Sequence, residues 1–440
     1  MPKIWKHPFF FNPFTSRLLV IFVFVHLTFS LALYNIYAFA PDETLYISIF
    51  SHLYQPGFSS LNFLGYTGTP ALYLRIAYLP AKLLTLLGLS ESISLRILAI
   101  LTSTLAVYLL LCVAKLRPSA GKRLSKLSIV PLFIPSAFLW MSLGLRESFI
   151  FLALSLICTG IFLLSRHEAL LAPFFMATGS IILINTKAYL AVLEYFGLIL
   201  LLLAYLIKGR WRSRYTGILL LAIVLPLLVN PPVSKSLMTG TWNYFAHAIG
   251  LQTSGSAIIS ISGDSPAIPV EVIGGGSTLI GLTQELNDHP KSVISTILHG
   301  TGIAQSMKDD GANPNGGHPE RANVSPAHLR DFPSVMKRSA GFLFTPFPFI
   351  DNGTLFLNLL GWEAPLWWLL FALFAHTLWR RIRKKEFDEL ALFVLAFSIF
   401  FIIFSSLVEV NVGTMVRHRT VLLLPMLFLI MAPHKKSAHP

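Results

Sequence analysis

The sequence is poor in charge. Asp, Glu, Lys and Arg make up 12% of its 440 residues, against about 25% in soluble globular chains. That deficit excludes a chain that must cover itself with water-facing surface. Cysteine is nearly absent. Only Cys112 and Cys158 occur, both inside apolar runs, so neither a disulfide framework nor a thiolate metal site is implied. Glycine-rich phosphate loops are missing. The lack of a Walker motif or a dinucleotide fingerprint argues against an ATP-driven pump and a cytosolic nucleotide-sugar enzyme. The alternation of a lipid-facing barrel strand is absent, and so is the inverted-repeat symmetry of many transporters.

Apolar length is what the sequence has in excess. Residues 18–40 form an uncharged apolar run, and about 20 apolar residues in a helix cross a bilayer core. Several later runs do the same. Backbone polar groups in hydrocarbon need internal partners, so the spans are expected to be helices. The first run follows Lys3, Lys6 and Arg17 and ends at Ala38-Phe39-Ala40, as a secretory signal would. Its length and the following Pro41 favour an uncleaved first helix.

The formal net charge is +14. In a soluble protein that would suggest nucleic acid, but here no nucleic-acid partner is expected. The basic residues gather between apolar runs, at Lys3 and Lys6, 115–126, 208–214, 380–385, and Lys435 and Lys436. Cytoplasmic loops carry that excess, so an even number of spans should separate neighbouring clusters. The segment 71–88 is short and carries Arg75, Pro80 and Lys82. It is expected to lie along the outer interface as an amphipathic helix. The spans are then roughly 18–40, 93–114, 127–143, 148–164, 169–185, 188–207, 215–231, 355–379, 388–408 and 415–432. The predicted fold class is an all-α polytopic transmembrane helical bundle of about ten spans, with both termini cytoplasmic. It divides into an N-terminal module 1–231 with an external loop 41–92, an external loop domain 232–354, and C-terminal transmembrane helices 355–440. The loop domain is rich in Gly, Pro, Ser and Asn, and loops of that length are usually functional or disordered.

The expected external face collects ionisable residues. Asp42 and Glu43 follow the first span. They either end the helix in water or act as general base and ligands of a divalent metal. Arg146 and Glu147 sit in a tight turn, where they form a local ion pair or a functional site at membrane depth. Arg96 opens the second span and Lys187 lies at another external turn. Arg417, His418 and Arg419 run against the positive-inside trend. They either snorkel to lipid phosphates or form an anion site, since guanidinium forks suit phosphate oxygens. A transferase using a lipid-phosphate donor needs both kinds of group: a carboxylate to take a hydroxyl proton, and cations or a metal to stabilise the departing phosphate.

The order of these residues resembles the GT-C membrane glycosyltransferases, which include protein O-mannosyltransferases and the bacterial aminoarabinose transferase. Asp42-Glu43 is similar to that family's acidic motif. Pro70-Ala-Leu-Tyr73, then Gly88-Leu-Ser90, then Leu95-Arg96 resemble its interfacial helix, turn and second span. Glu147 falls where the family often has a second acid, although here it follows Arg146. The likeness covers roughly residues 18–165. Thr345-Pro-Phe-Pro348 and Asn411-x-Gly-Thr-x-x-Arg417-x-Arg419 resemble bacterial surface-polysaccharide polymerases.

The resemblance implies a glycosyltransferase in a prokaryotic inner membrane with its site facing outward. It implies a polyprenyl-phosphate- or diphosphate-linked glycan donor and a glycan, lipid or protein acceptor. Asp42 would be the base, with Glu43 and Glu147 assisting or holding a divalent metal. Arg96, Arg146, Lys187, Arg417, His418 and Arg419 would hold the donor phosphates. A flippase of lipid-linked glycans is the alternative, and it should line a mid-membrane path with ionisable groups, for which Glu363 and His376 are candidates. A noncatalytic envelope-assembly protein is a third reading.

Overall fold

The computed structural model describes residues 13–33, 41–52, 69–115, 130–166, 171–207, 214–229, 332–349, 355–408 and 412–432. Within them the protein is all-α, with no strand. The elements in chain order are α1 (Pro13–Ala32), α2 (Pro41–His52), α3 (Thr69–Leu86), α4 (Glu91–Lys115), a 3-10 turn (Val130–Phe133), α5 (Pro135–Ser142), α6 (Glu147–Ser165), α7 (Leu171–Thr186), α8 (Ala188–Ile207) and α9 (Arg214–Val229). After the loop come α10 (Phe332–Phe344), α11 (Leu355–Gly361), α12 (Ala364–Arg383), α13 (Glu389–Val408), α14 (Val412–Arg419), a second 3-10 turn (Thr420–Leu422) and α15 (Leu423–Met431).

Five helical stretches are long and apolar enough to cross a membrane: 91–114, 147–165, 189–207, 358–383 and 389–407. These make the chain a membrane protein with transmembrane helices. Shorter apolar helices occupy 16–32, 76–86, 171–186 and 215–228. Three of the ten expected spans are not continuous helices. The segment 127–143 contains a 3-10 turn and the eight-residue α5, separated at Ile134, because Pro131 and Pro135 remove helical donors. The segment 415–432 is divided by the 3-10 turn 420–422, so α15 has only nine residues. A third, 355–379, breaks around Trp362 and Glu363, ahead of Pro365.

The core is centred on α6, a helix of 19 residues and therefore about 28 Å long. Every residue of α6 is buried, including Ser148, Ser155 and Thr159. Such a helix has no lipid face, and α4, α7, α13 and α15 surround it. The α6–α7 contact is the most extensive, and it depends on small residues. A Cβ at Gly179 would stand 2.6 Å from Ala153 O and 2.7 Å from the Ile157 side chain. The helices approach closely because there is none, as is common where no water drives association.

Several other helices show lipid-like exposure instead. α12 leaves Leu366, Leu369, Leu373 and Trp379 exposed, while its opposite face buries Trp367, Leu370, Phe374 and Leu378. Along α3 and into the turn after it, the exposed Leu79, Leu83, Leu86 and Leu87 form one stripe, opposite the buried Tyr73, Leu74, Ala77 and Ala81. Only the last part of the loop domain 232–354 is described, and it contains α10. That helix packs on α13 through Phe342 against Phe401 and Ser339 against Ser406.

One end of the bundle is tied by Arg381. Its guanidinium is fully buried, pairs with Asp388 at 2.9 Å and donates to Leu429 O and Ala432 O, both at 3.0 Å. The polar groups anticipated from the sequence gather at the other end.

Candidate functional site

The sequence of the α5–α6 connection explains why polar groups converge there. α5 ends at Ser142, and Leu143 takes an extended conformation. Leu143, Gly144, Leu145 and Arg146 turn the chain so that Glu147 begins α6. Three carboxylates and their arginines surround this turn and its neighbours, and they are satisfied to different degrees.

The first is Glu43, at the third position of α2. Arg96 grips it with both prongs, Nε to Oε1 and Nη2 to Oε2, each at 2.7 Å. Arg96 Nη1 also donates to Ser30 O at 2.7 Å. Glu43 Oε1 accepts a second bond from Gly144 N at 2.9 Å. Both side chains are buried. A Cβ at Gly144 would stand 3.1 Å from Glu43 Oε1 and 3.0 Å from Leu95 Cβ, so the absence of a side chain lets the carboxylate reach the backbone. Tyr73 leans over the same turn, with its hydroxyl 3.4 Å from Gly144 O. Burial first, then Tyr46, Glu147 and Glu43, raise the Tyr73 phenol well above its usual range and keep it protonated.

The second is Glu147. Arg417 Nε donates to Glu147 Oε1 at 2.7 Å, and Arg417 Nη2 lies 2.7 Å from the same oxygen. The Arg417 guanidinium also stacks 5.0 Å over the Trp140 ring. Arg146 and Lys187 add their positive charge to that of Arg417 around the carboxylate. Lys187, in the turn between α7 and α8, contacts His418 Nε2 and lies 5.2 Å over the Tyr189 ring. Glu147 Oε2 and Trp140 Nε1 are buried and have no hydrogen-bond partner among the described residues.

The third is Glu363, just before α12. It accepts from Ser136 N at 2.7 Å, Ser136 Oγ at 2.6 Å and Trp367 Nε1 at 2.9 Å. Arg419 Nη2 lies 3.7 Å from it. Arg419 is fully buried, donates to Leu343 O and Thr345 O, and stacks 5.0 Å over Trp367.

The expected residues therefore divide. Glu147, Arg146, Lys187, Arg417 and His418 are brought together. Arg96 and Glu43 pair through both carboxylate oxygens, and Ser30 O and Gly144 N take further bonds. Both oxygens of Glu43 are bonded, Oε1 to Arg96 and Gly144 N and Oε2 to Arg96. Arg419 joins α10, α12 and α14 through Nη1 bonds to two backbone carbonyls and an ion pair with Glu363, while its Nε and Nη2 are buried without a hydrogen-bond partner among the described residues. Asp42 stands at the second position of α2, one residue from the Glu43 that touches Gly144; its side chain lies outside the described residues. Asn411 and most of the loop 232–354 also lie outside them. His376 is exposed on α12. Among the described residues no cluster of three or more His, Cys, Asp or Glu is placed to hold a metal ion.

Three residues escaped the sequence reading. Trp140 and Gly144 carry no signal of their own, since their roles depend on what packs against them. Glu194 did carry one, as the lone acid in the apolar run 188–207. It is fully buried, with Oε1 2.5 Å from Ser180 Oγ on α7.

No family model, curated protein or solved structure matches the chain.

Proposed function

We propose that the protein is a GT-C-like glycosyltransferase of a prokaryotic inner membrane. It takes a sugar or oligosaccharide from a polyprenyl-phosphate or diphosphate carrier at the external face, and its acceptor is a glycan, lipid or protein there. Polymerisation of surface-polysaccharide repeat units is one form of this activity. The observation that carries the reading is the cluster at Glu147. Among the described residues, Arg146, Lys187 and Arg417 surround one carboxylate, with His418 in contact with Lys187. Positive charge gathered at one end of the bundle favours an anionic ligand, and a lipid phosphate has oxygens suited to an arginine fork.

The topology behind this reading has about ten crossings, some of them short or broken. The basic residues 380–385 and Arg166 lie at the end opposite Glu147, which supports placing that end in the cytoplasm. In the reaction, Asp42 accepts the proton of the acceptor hydroxyl while its oxygen attacks the anomeric carbon. The bond from that carbon to the phosphate oxygen breaks, and the departing phosphate is held by Arg417 and Lys187. Glu43 keeps α2 against the α5–α6 turn and so fixes where Asp42 begins. No step is assigned to a metal.

Wild type and Asp42→Asn, expressed in a strain lacking the native gene, test the reading. Wild type should restore longer or newly decorated surface glycan. Asp42→Asn should accumulate lipid-linked precursor on the outer leaflet at normal expression. Equal restoration by both would remove Asp42 as the base. Precursor trapped on the cytoplasmic leaflet in the absence of the protein would favour a flippase. Two buried polar pairs within the bundle, Glu194 with Ser180 and His26 with Ser142, give that second reading its footing.

A further inference from the structure

We infer that Trp140 and Glu147 form a sugar-hydroxyl subsite immediately beside the phosphate position. This rests on the reading above and says what the site takes next to the anion. Trp140 is 8% exposed and Glu147 2%. Trp140 Nε1–H is a donor with nothing to donate to, and Glu147 Oε2 is an acceptor with nothing to accept, among the described residues. Buried polar atoms are rarely left in that state, because each one costs free energy. An unmatched donor and acceptor together suit one particular chemistry. A hydroxyl accepts from the indole N–H and donates to the carboxylate oxygen, which satisfies both at once.

Arg417 links this doublet to the anion site. It stacks on the Trp140 ring and holds only the Oε1 side of Glu147. A phosphate drawn to Arg417 therefore has the doublet as its neighbour, and in a phospho-sugar the first ring is bonded directly to that phosphate. The Trp140 indole also brings an apolar face to a buried site, and pockets orient their ligands with a few placed polar groups on largely apolar walls. The first sugar of the donor is thus the group the geometry favours. An acceptor sugar has the same hydroxyl chemistry and is separated from it by experiment.

The test uses the purified full chain in detergent and calorimetric titration. The probes are geranyl phosphate, its glucosyl, galactosyl and N-acetylglucosaminyl esters, and the corresponding methyl glycosides. The readout is the ratio of affinities between a sugar-bearing phosphate and bare geranyl phosphate, in wild type and in Trp140→Phe. Phenylalanine keeps an aromatic ring at this position and removes the N–H together with the smaller ring of the indole. At least one ester should bind wild type more tightly than the bare phosphate, and Trp140→Phe should reduce that ratio about fivefold. A ratio unchanged by Trp140→Phe, or no gain from any of the three sugars, overturns the subsite while the phosphate reading stands. Trp140-dependent binding of the methyl glycosides without any gain for the esters overturns the donor assignment. Failure of every phosphate probe to bind removes the phosphate reading and the subsite with it.

Discussion

Two glutamate–arginine pairs stand at the same end of the bundle, and they are built differently. Glu43 and Arg96 meet fork to fork, and Gly144 N and Ser30 O take up further bonding capacity. Glu147 and Arg417 meet through a single carboxylate oxygen, with the other oxygen left over and the arginine side chain 17% exposed. The first pair is closed on itself and holds helices together. The second retains capacity for a ligand. Residue type does not distinguish the two; the number of bonds each carboxylate has already made does. The Glu363–Arg419 pair is mixed: Ser136 and Trp367 occupy its carboxylate, while Arg419 Nε and Nη2 are buried with no hydrogen-bond partner among the described residues.

That contrast can be broken experimentally. The largest effect is expected from Arg96→Ala. It leaves Glu43 buried without its counter-charge, which should cost about 3–5 kcal/mol. Thermal unfolding in detergent should show a large loss or no folded protein at all, and a melting temperature near wild type would mean the pair is not structural. Gly144→Ala comes next. The added methyl meets Glu43 Oε1 and Leu95 Cβ, and overpacking of this kind costs about 1–3 kcal/mol. The same unfolding measurement would detect it, and an unchanged midpoint would show that the α5–α6 turn yields easily. Arg417→Lys should have the smallest effect on stability, within about 1 kcal/mol, because the ammonium still pairs with Glu147. It should nonetheless lower affinity for geranyl phosphate by about tenfold through loss of the fork. If it destabilises the protein as much as Arg96→Ala does, the distinction between a closed and an open pair fails.

The two halves of the candidate site were also unequally legible. Arg417 and His418 could be singled out because two cations and a histidine next to an apolar run depart from the usual charge pattern. Arg419, two residues on, carries the same signal and does something else. Two residues along a helix is a rotation of about 200°, which turns Arg417 toward Glu147 and Arg419 toward Thr345 O and Trp367. That rotation follows from the two residues sharing α14, but which of the two faces meets Glu147 depends on how α14 packs. Asp42 and Glu43 pose the same problem. Adjacent residues on a helix point about 100° apart, so an acidic doublet offers at most one carboxylate to any one neighbour, and Gly144 receives Glu43.

The sequence by itself determined that the chain is helical and belongs in a membrane. Scarce charge and long apolar runs leave an uncompensated backbone no other solution in hydrocarbon. It also determined which ionisable residues deserved suspicion, because a charge beside an apolar run is expensive wherever it ends up. Only the tertiary structure decided which of them are already satisfied. Glu43 is closed by an arginine 53 residues away and a backbone amide 101 residues away, and Glu147 meets an arginine 270 residues away. Hydrogen-bond capacity is used up by partners that only packing brings within 3 Å, and no local pattern records how much of it remains.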